Sequence, residues 1–174
     1  MSNHTEHLTN TPGTRAHLWD IIKDIRFAMF TTRHGNGHLH SRPMTTQNRN
    51  IDEDASLWFF MSRLNGPVDD LTHDPVVNVA YADPGKDSYV SVSGKATVVD
   101  DSSMKQKLWS KMNDAWFPDG PTDPDVALVE VRISHAEYWD VKQSKFVQLL
   151  KMAAAAATGD RPELAGEKGS VRMG

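Results

Sequence analysis

Six stretches of this chain read as β-strands separated by tight turns or short helices, and that order excludes most folds at once. They are residues 26–33 (RFAMFTTR), 38–46 (HLHSRPMTT), 56–62 (SLWFFMS), 76–83 (VVNVAYAD), 88–100 (SYVSVSGKATVVD) and 126–140 (VALVEVRISHAEYWD). All are rich in β-branched and aromatic residues, which suit a pleated, half-buried surface. Gly35-Asn36-Gly37 supplies a tight hairpin turn between the first two strands, and Asp83-Pro84-Gly85-Lys86-Asp87 turns the fourth into the fifth. Leu18, Ile21, Ile22 and Ile25 recur at three- and four-residue intervals, which predicts a helix with Thr14 as its N-cap. Further helices are expected at 66–74, 100–116 and 144–157. About six antiparallel strands with only short helices between them favour a mainly β barrel or curled sheet over alternating βαβ units.

The 174 residues suit a single domain, expected over 14–174, behind a polar, aperiodic tail at 1–13. Cysteine is absent, which removes disulfides, thiolate metal ligands, iron–sulfur clusters and thiol catalysis, so redox chemistry requires a borrowed cofactor. A formal charge of −4 with no Lys/Arg-rich block argues against a nucleic-acid footprint. The longest apolar run, MAAAAA, is far short of a membrane span, and the polar start has no signal-peptide pattern, so a cytoplasmic protein is expected.

Chemistry concentrates in HGNGHLHSRPMTT, residues 34–46. His38 and His40 fall on one strand face, whereas His34 lies across the turn with no fixed relation to them. A metal site needs three or four ligands, and no Cys, HExxH or paired-carboxylate motif completes this set, so no metal is expected. Pro43 removes a ladder donor. Either it interrupts pairing and leaves Arg42 aimed at an anion, or it marks an edge strand with a surface Arg. Downstream, LWFFMSRLNGP runs a strand into Ser62 and Arg63 and then into a helix with Pro67 at its first position. A hydroxyl, a guanidinium and a helix start are parts of a phosphate site. The alternative is a plain strand–turn–helix whose Asp69 and Asp70 compensate the helix dipole. Trp109, Trp116, Phe117, Tyr138 and Trp139 either cap a core or suit a large flat ligand. No catalytic acid, base or nucleophile stands out.

Taken in order, HSRPM, LWFFMSR, DPVVNVAYADP, YVSVSGKATVVDD, AWFPDGPTDPDVALVEV and AEYWD resemble the general stress protein 26-like branch of the pyridoxamine 5′-phosphate oxidase-like superfamily, from about His17 to Pro162. The resemblance implies a split β-barrel of the FMN-binding type, with flavin at the interface of a homodimer. It places Arg42, Pro43 and Met44 along the ribityl chain and ring edge, and Phe60, Met61, Ser62 and Arg63 on the strand below the cofactor. Asn65 and Gly66 fall near the phosphate. Ser91, Ser93 and Gly94 line the interface strand, and Trp116 and Trp139 approach the ring. The implied cofactor is FMN, with FAD as the alternative. The implied function is a flavin-dependent oxidoreductase of unknown substrate or a non-catalytic flavin carrier; a haem-binding relative using a histidine ligand is a third reading. Two departures stand out. Pro67 replaces the Lys that relatives carry at the helix start, and the ending GEKGSVRMG lacks the Arg-containing substrate motif of the true oxidases, so vitamin B6 oxidation is not expected.

Overall fold

The computed structural model describes residues 15–51, 55–64, 66–140, 145–159 and 167–173. The expected tail at 1–13, the cap Thr14 and the candidate Asn65 lie outside the described residues. The elements are α1 (Arg15–Ile22), β1 (Ala28–Arg33), β2 (Leu39–Met44), β3 (Ser56–Ser62), α2 (Pro67–His73), β4 (Val76–Asp83), β5 (Ser88–Val99), α3 (Ser102–Leu108), β6 (Val126–Asp140), α4 (Lys145–Thr158) and β7 (Glu167–Arg172). Six of the strands are those expected. The seventh, β7, was not, because EKGSVR has neither alternation nor a run of β-formers. The expected helix over 100–116 stops at Leu108. Trp109 turns to extended backbone there, and a single 3-10 turn at Asn113–Ala115 follows.

The strands form one antiparallel sheet in the order β2-β1-β4-β5-β6-β3. Strand β6 is 15 residues long and divides its pairing on the side away from β5. Its first half pairs with β3 and its second half with β7, so the sheet splits along its length. The ladder does not close, but the chain beyond β2 reaches β3 through Gln47 N–H to the Trp58 carbonyl, at 2.8 Å, and through the Asn48 side chain. The inward face is a core of Phe30, Leu57, Phe59, Val79, Tyr81, Val92, Val129, Val131 and Tyr138, sealed by Leu18 and Ile22 of α1 and Leu71 of α2. Phe60, Val126 and Leu128 form a second cluster, covered by Trp58, Met104, Leu108, Trp109 and Phe117. Trp109 ends α3 because its ring packs on Phe60 at 5.0 Å while its indole N–H donates to Asp114 at 2.9 Å.

Where β5 meets β6 the register shifts between Ser93 and Gly94. Ser93 faces His135 and Gly94 faces Ile133, so Ser134 is the extra residue of a bulge. The buried positions of β6 change parity there, from Val129, Val131 and Ile133 to Ala136 and Tyr138. A Cβ on Gly94 would lie 2.5 Å from the Arg132 carbonyl oxygen, so this close approach excludes any side chain. None of the described helices is long and apolar enough to cross a membrane.

Candidate functional site

The sequence-inferred residues separate into three places. The first is the corner where the β1–β2 hairpin meets α2. Register sets Phe30 opposite Arg42 and Thr32 opposite His40, so Arg42 projects to the same side as the buried Phe30 and Thr32. The Arg42 guanidinium donates to the Thr32 hydroxyl at 2.8 Å and to Asp70 Oδ2 at 3.2 Å. Thr32 donates to the same Asp70 oxygen at 2.5 Å, and His34 Nδ1 lies 2.7 Å from Asp70 Oδ1. Gly66, at positive φ, caps α2 beside this cluster, and a Cβ there would lie 3.5 Å from Arg42 Nη2.

Three expectations change here. Asp70 does not merely compensate the helix dipole: it is buried and is the counter-ion of Arg42. Pro43 does not interrupt pairing, since β2 runs in unbroken register from Ala28–Met44 to Arg33–Leu39, with Pro43 on an edge strand. His34 is not remote from His40: their rings stack at 5.3 Å, and Asp70 joins them. Burial alone would raise the Asp70 carboxyl, but hydrogen bonds from Thr32, His34 and Arg42, with the Arg42 charge, outweigh it and hold the group below the usual carboxylate range. Sequence offers no local signal for this cluster, because Asp70 is 28 positions from Arg42 and 38 from Thr32.

The second place is the turn after β3. Ser62 donates to both oxygens of Asp125 at 2.9 and 2.7 Å, while Leu64 N–H donates to Ser62 Oγ and Asp125. The Ser62 hydroxyl is therefore occupied in fixing the turn. Arg63 instead reaches outward to Asp100 at 2.7 Å, and Asp100 is 82% exposed. Arg63 also lines a cavity of about 440 Å³ with Asp101, Lys105 and Thr122. Met61 is buried in the main core and Phe60, on the opposite face of the strand, in the second cluster, so β3 is packed on both sides here.

The third place is the outward sheet face. Strand registers align Met29 with Pro43 and Ala80, Ala80 with Ser91, and Tyr89 with Trp139. Met29, Tyr89 and Trp139 expose large apolar surfaces there, and Asn78 donates to the Ser91 hydroxyl at 2.8 Å. Ser93 faces His135 and Ser91 faces Glu137, two ionisable residues the sequence reading did not single out. They lie 3.8 Å apart, and the post-bulge parity of HAEYW is the signal that turns them outward. Lys168 of β7 sits over the Trp139 ring at 5.6 Å. Trp116 is 77% exposed and caps the end of the 3-10 turn. Met44 is half-buried beneath the sheet, packed against the core rather than on this face.

An open sheet divided along β6, with a hairpin edge and an apolar outward face, matches known proteins. Residues 13–163 match the family described as pyridoxamine 5′-phosphate oxidase like. The chain belongs to that family. Protein bli-3 of Neurospora crassa is 33% identical over 133 residues, covering 70% of this chain and 62% of that protein. General stress protein 26 of Bacillus subtilis is 30% identical over 98 residues, covering 55% of this chain and 66% of that protein. The chain thus spans just under two thirds of both curated relatives. A crystal structure from Xanthomonas citri, described as a general stress FMN/FAD binding protein, is 31% identical with a TM-score of 0.63, covering 75% of this chain and 90% of that one. The fold is the split barrel of this pyridoxamine 5′-phosphate oxidase-like family, as the resemblance implied.

Proposed function

We propose that this family member is a flavin-binding general stress protein, working as a homodimer that holds FMN, or alternatively FAD, against the outward sheet face. The observation that carries the reading is that face itself: Met29, Pro43, Tyr89 and Trp139 present flat apolar surface beside the neutral polar groups of Asn78, Ser91 and Ser93. Such a surface suits a heteroaromatic ring and is a poor one to leave in water. Support for the cofactor class comes from the Xanthomonas citri relative, whose description names FMN/FAD binding.

The residues present fit a flavin mononucleotide, with one available cation at the phosphate end. Arg63 is the available cation, because its partner Asp100 is exposed and readily exchanged for another anion. Arg42 is held by Asp70 and Thr32, so it offers less free charge than Arg63. Pro67 supplies no cation at all. A bound flavin would supply hydride or electron transfer, and the protein would supply position and exclusion of water. Around the ring, Ser91 and Ser93 would offer hydroxyls, and Trp139 a planar contact.

Fluorescence titration with FMN and with riboflavin tests the assignment. Arg63→Ala should weaken FMN about ten- to a hundredfold, the scale of a charge-assisted bond, and leave riboflavin unchanged. Pro67→Lys should tighten FMN. Equal effects on both ligands would place the phosphate elsewhere, and absence of binding to either would sink the proposal. Reduction of bound flavin by NADH or NADPH, followed by reoxidation, distinguishes an oxidoreductase from a carrier.

A further inference from the structure

We propose that His34, His40 and Asp70 form a binding site for one divalent transition-metal ion of the zinc class. One ligand atom from each lies within 4.8 Å of the other two. Among the described residues, no other group of three or more His, Asp or Glu side chains converges in this way. The three come from different elements: His34 just beyond β1, His40 on β2 and Asp70 on α2. The hairpin brings the two rings together, nearly parallel at 14°.

The set has the parts a metal site requires beyond its ligands. Asp70 Oδ1 faces His34, while Oδ2 is held by the Thr32 hydroxyl and Arg42. The carboxylate is therefore oriented by outer hydrogen bonds, as ligating carboxylates are, and its second oxygen is already occupied. It is buried, whereas both imidazoles are exposed, so an ion has a rigid anchor below and an open path from solvent. Two imidazole nitrogens and one carboxylate oxygen suit zinc, iron(II), nickel or cobalt better than calcium or magnesium, which prefer all-oxygen sites. Three protein ligands leave at least one position for water, the pattern of an open site rather than a closed structural one. Arg42, 3.2 Å from Oδ2, opposes a second positive charge and makes this site weaker than a four-ligand one.

The inference is independent of flavin, so the test uses tag-free, metal-stripped, flavin-free full-length protein titrated with Zn²⁺ by calorimetry and with Co²⁺ by visible absorption. The expected result is one ion per chain. His34→Ala and His40→Ala, both at exposed positions, should each weaken binding at least about tenfold, with unchanged circular dichroism. Thr32→Val, which touches no ion, should weaken it about ten- to a hundredfold by releasing the carboxylate. His38→Ala and His135→Ala should bind as the parent does. Absence of Zn²⁺ binding, binding that survives His40→Ala, or an equal loss in His38→Ala would overturn the site.

Discussion

Arg42 and Arg63 carry the same charge and were inferred from the same kind of motif, yet the structure treats them oppositely. Arg42 is half-buried, forked between Thr32 and a carboxylate that is itself almost wholly out of solvent. Arg63 is covered to a similar degree, but its partner is mostly in water. Ion pairs of these two kinds differ in energy because desolvation, not the formal charge, sets the penalty for losing a partner. The first corner is thus structural, locking the hairpin to α2, and the second is free to exchange its anion.

The sharpest way to break this contrast is to remove the two carboxylates in turn. Asp70→Ala should cost about 3 kcal/mol in urea unfolding, since it leaves a partly buried guanidinium and a buried hydroxyl without their acceptor. Asp100→Ala should cost under about 1 kcal/mol. Similar losses in the two variants would mean that burial does not distinguish the corners.

Acid stability sharpens the same point. The folded Asp70 carboxyl is held below its unfolded range. Its contribution is therefore fully present above the ordinary carboxylate range and is lost as pH falls through the lowered value. Acid titration of unfolding free energy, in chelator, should show a loss that Asp70→Asn no longer shows, whereas Asp100→Asn should keep it. A smaller effect is expected at Thr32, where Thr32→Val removes one hydrogen bond to the charged carboxylate and should cost about 1.5 kcal/mol by the same denaturant measurement. Least affected should be the salt response: Asp100→Asn should abolish a weak salt dependence of stability while leaving that of the Asp70 corner in place.

Much of the fold was legible because its signals are local. Alternation along the strands, the Gly-Asn-Gly turn and the spacing of Leu18, Ile21 and Ile22 each depend on residues a few positions apart. The six strands followed from these, and the motifs placed in order brought the family into view. Of the candidate site, Pro43, Ser91, Ser93 and Trp139 were assigned through the resemblance alone, and it is the strand register that sets them on one outward face. Ser62, whose hydroxyl was offered as one part of a phosphate site, is held by Asp125, 63 residues away. Gly94 is explained by its closeness to the Arg132 carbonyl.

What the sequence by itself determined is the set of strands, their alternation and the residue types offered to each face. Only the tertiary structure decided which charges meet. Asp70 neutralises Arg42, His34 stacks on His40, and β7 covers the edge of β6 with Gly169 lying where a side chain would strike Tyr138. These pairings join residues 6 to more than 30 positions apart, and their energies depend on how much water each loses, a quantity fixed by packing across elements rather than by any neighbour along the chain.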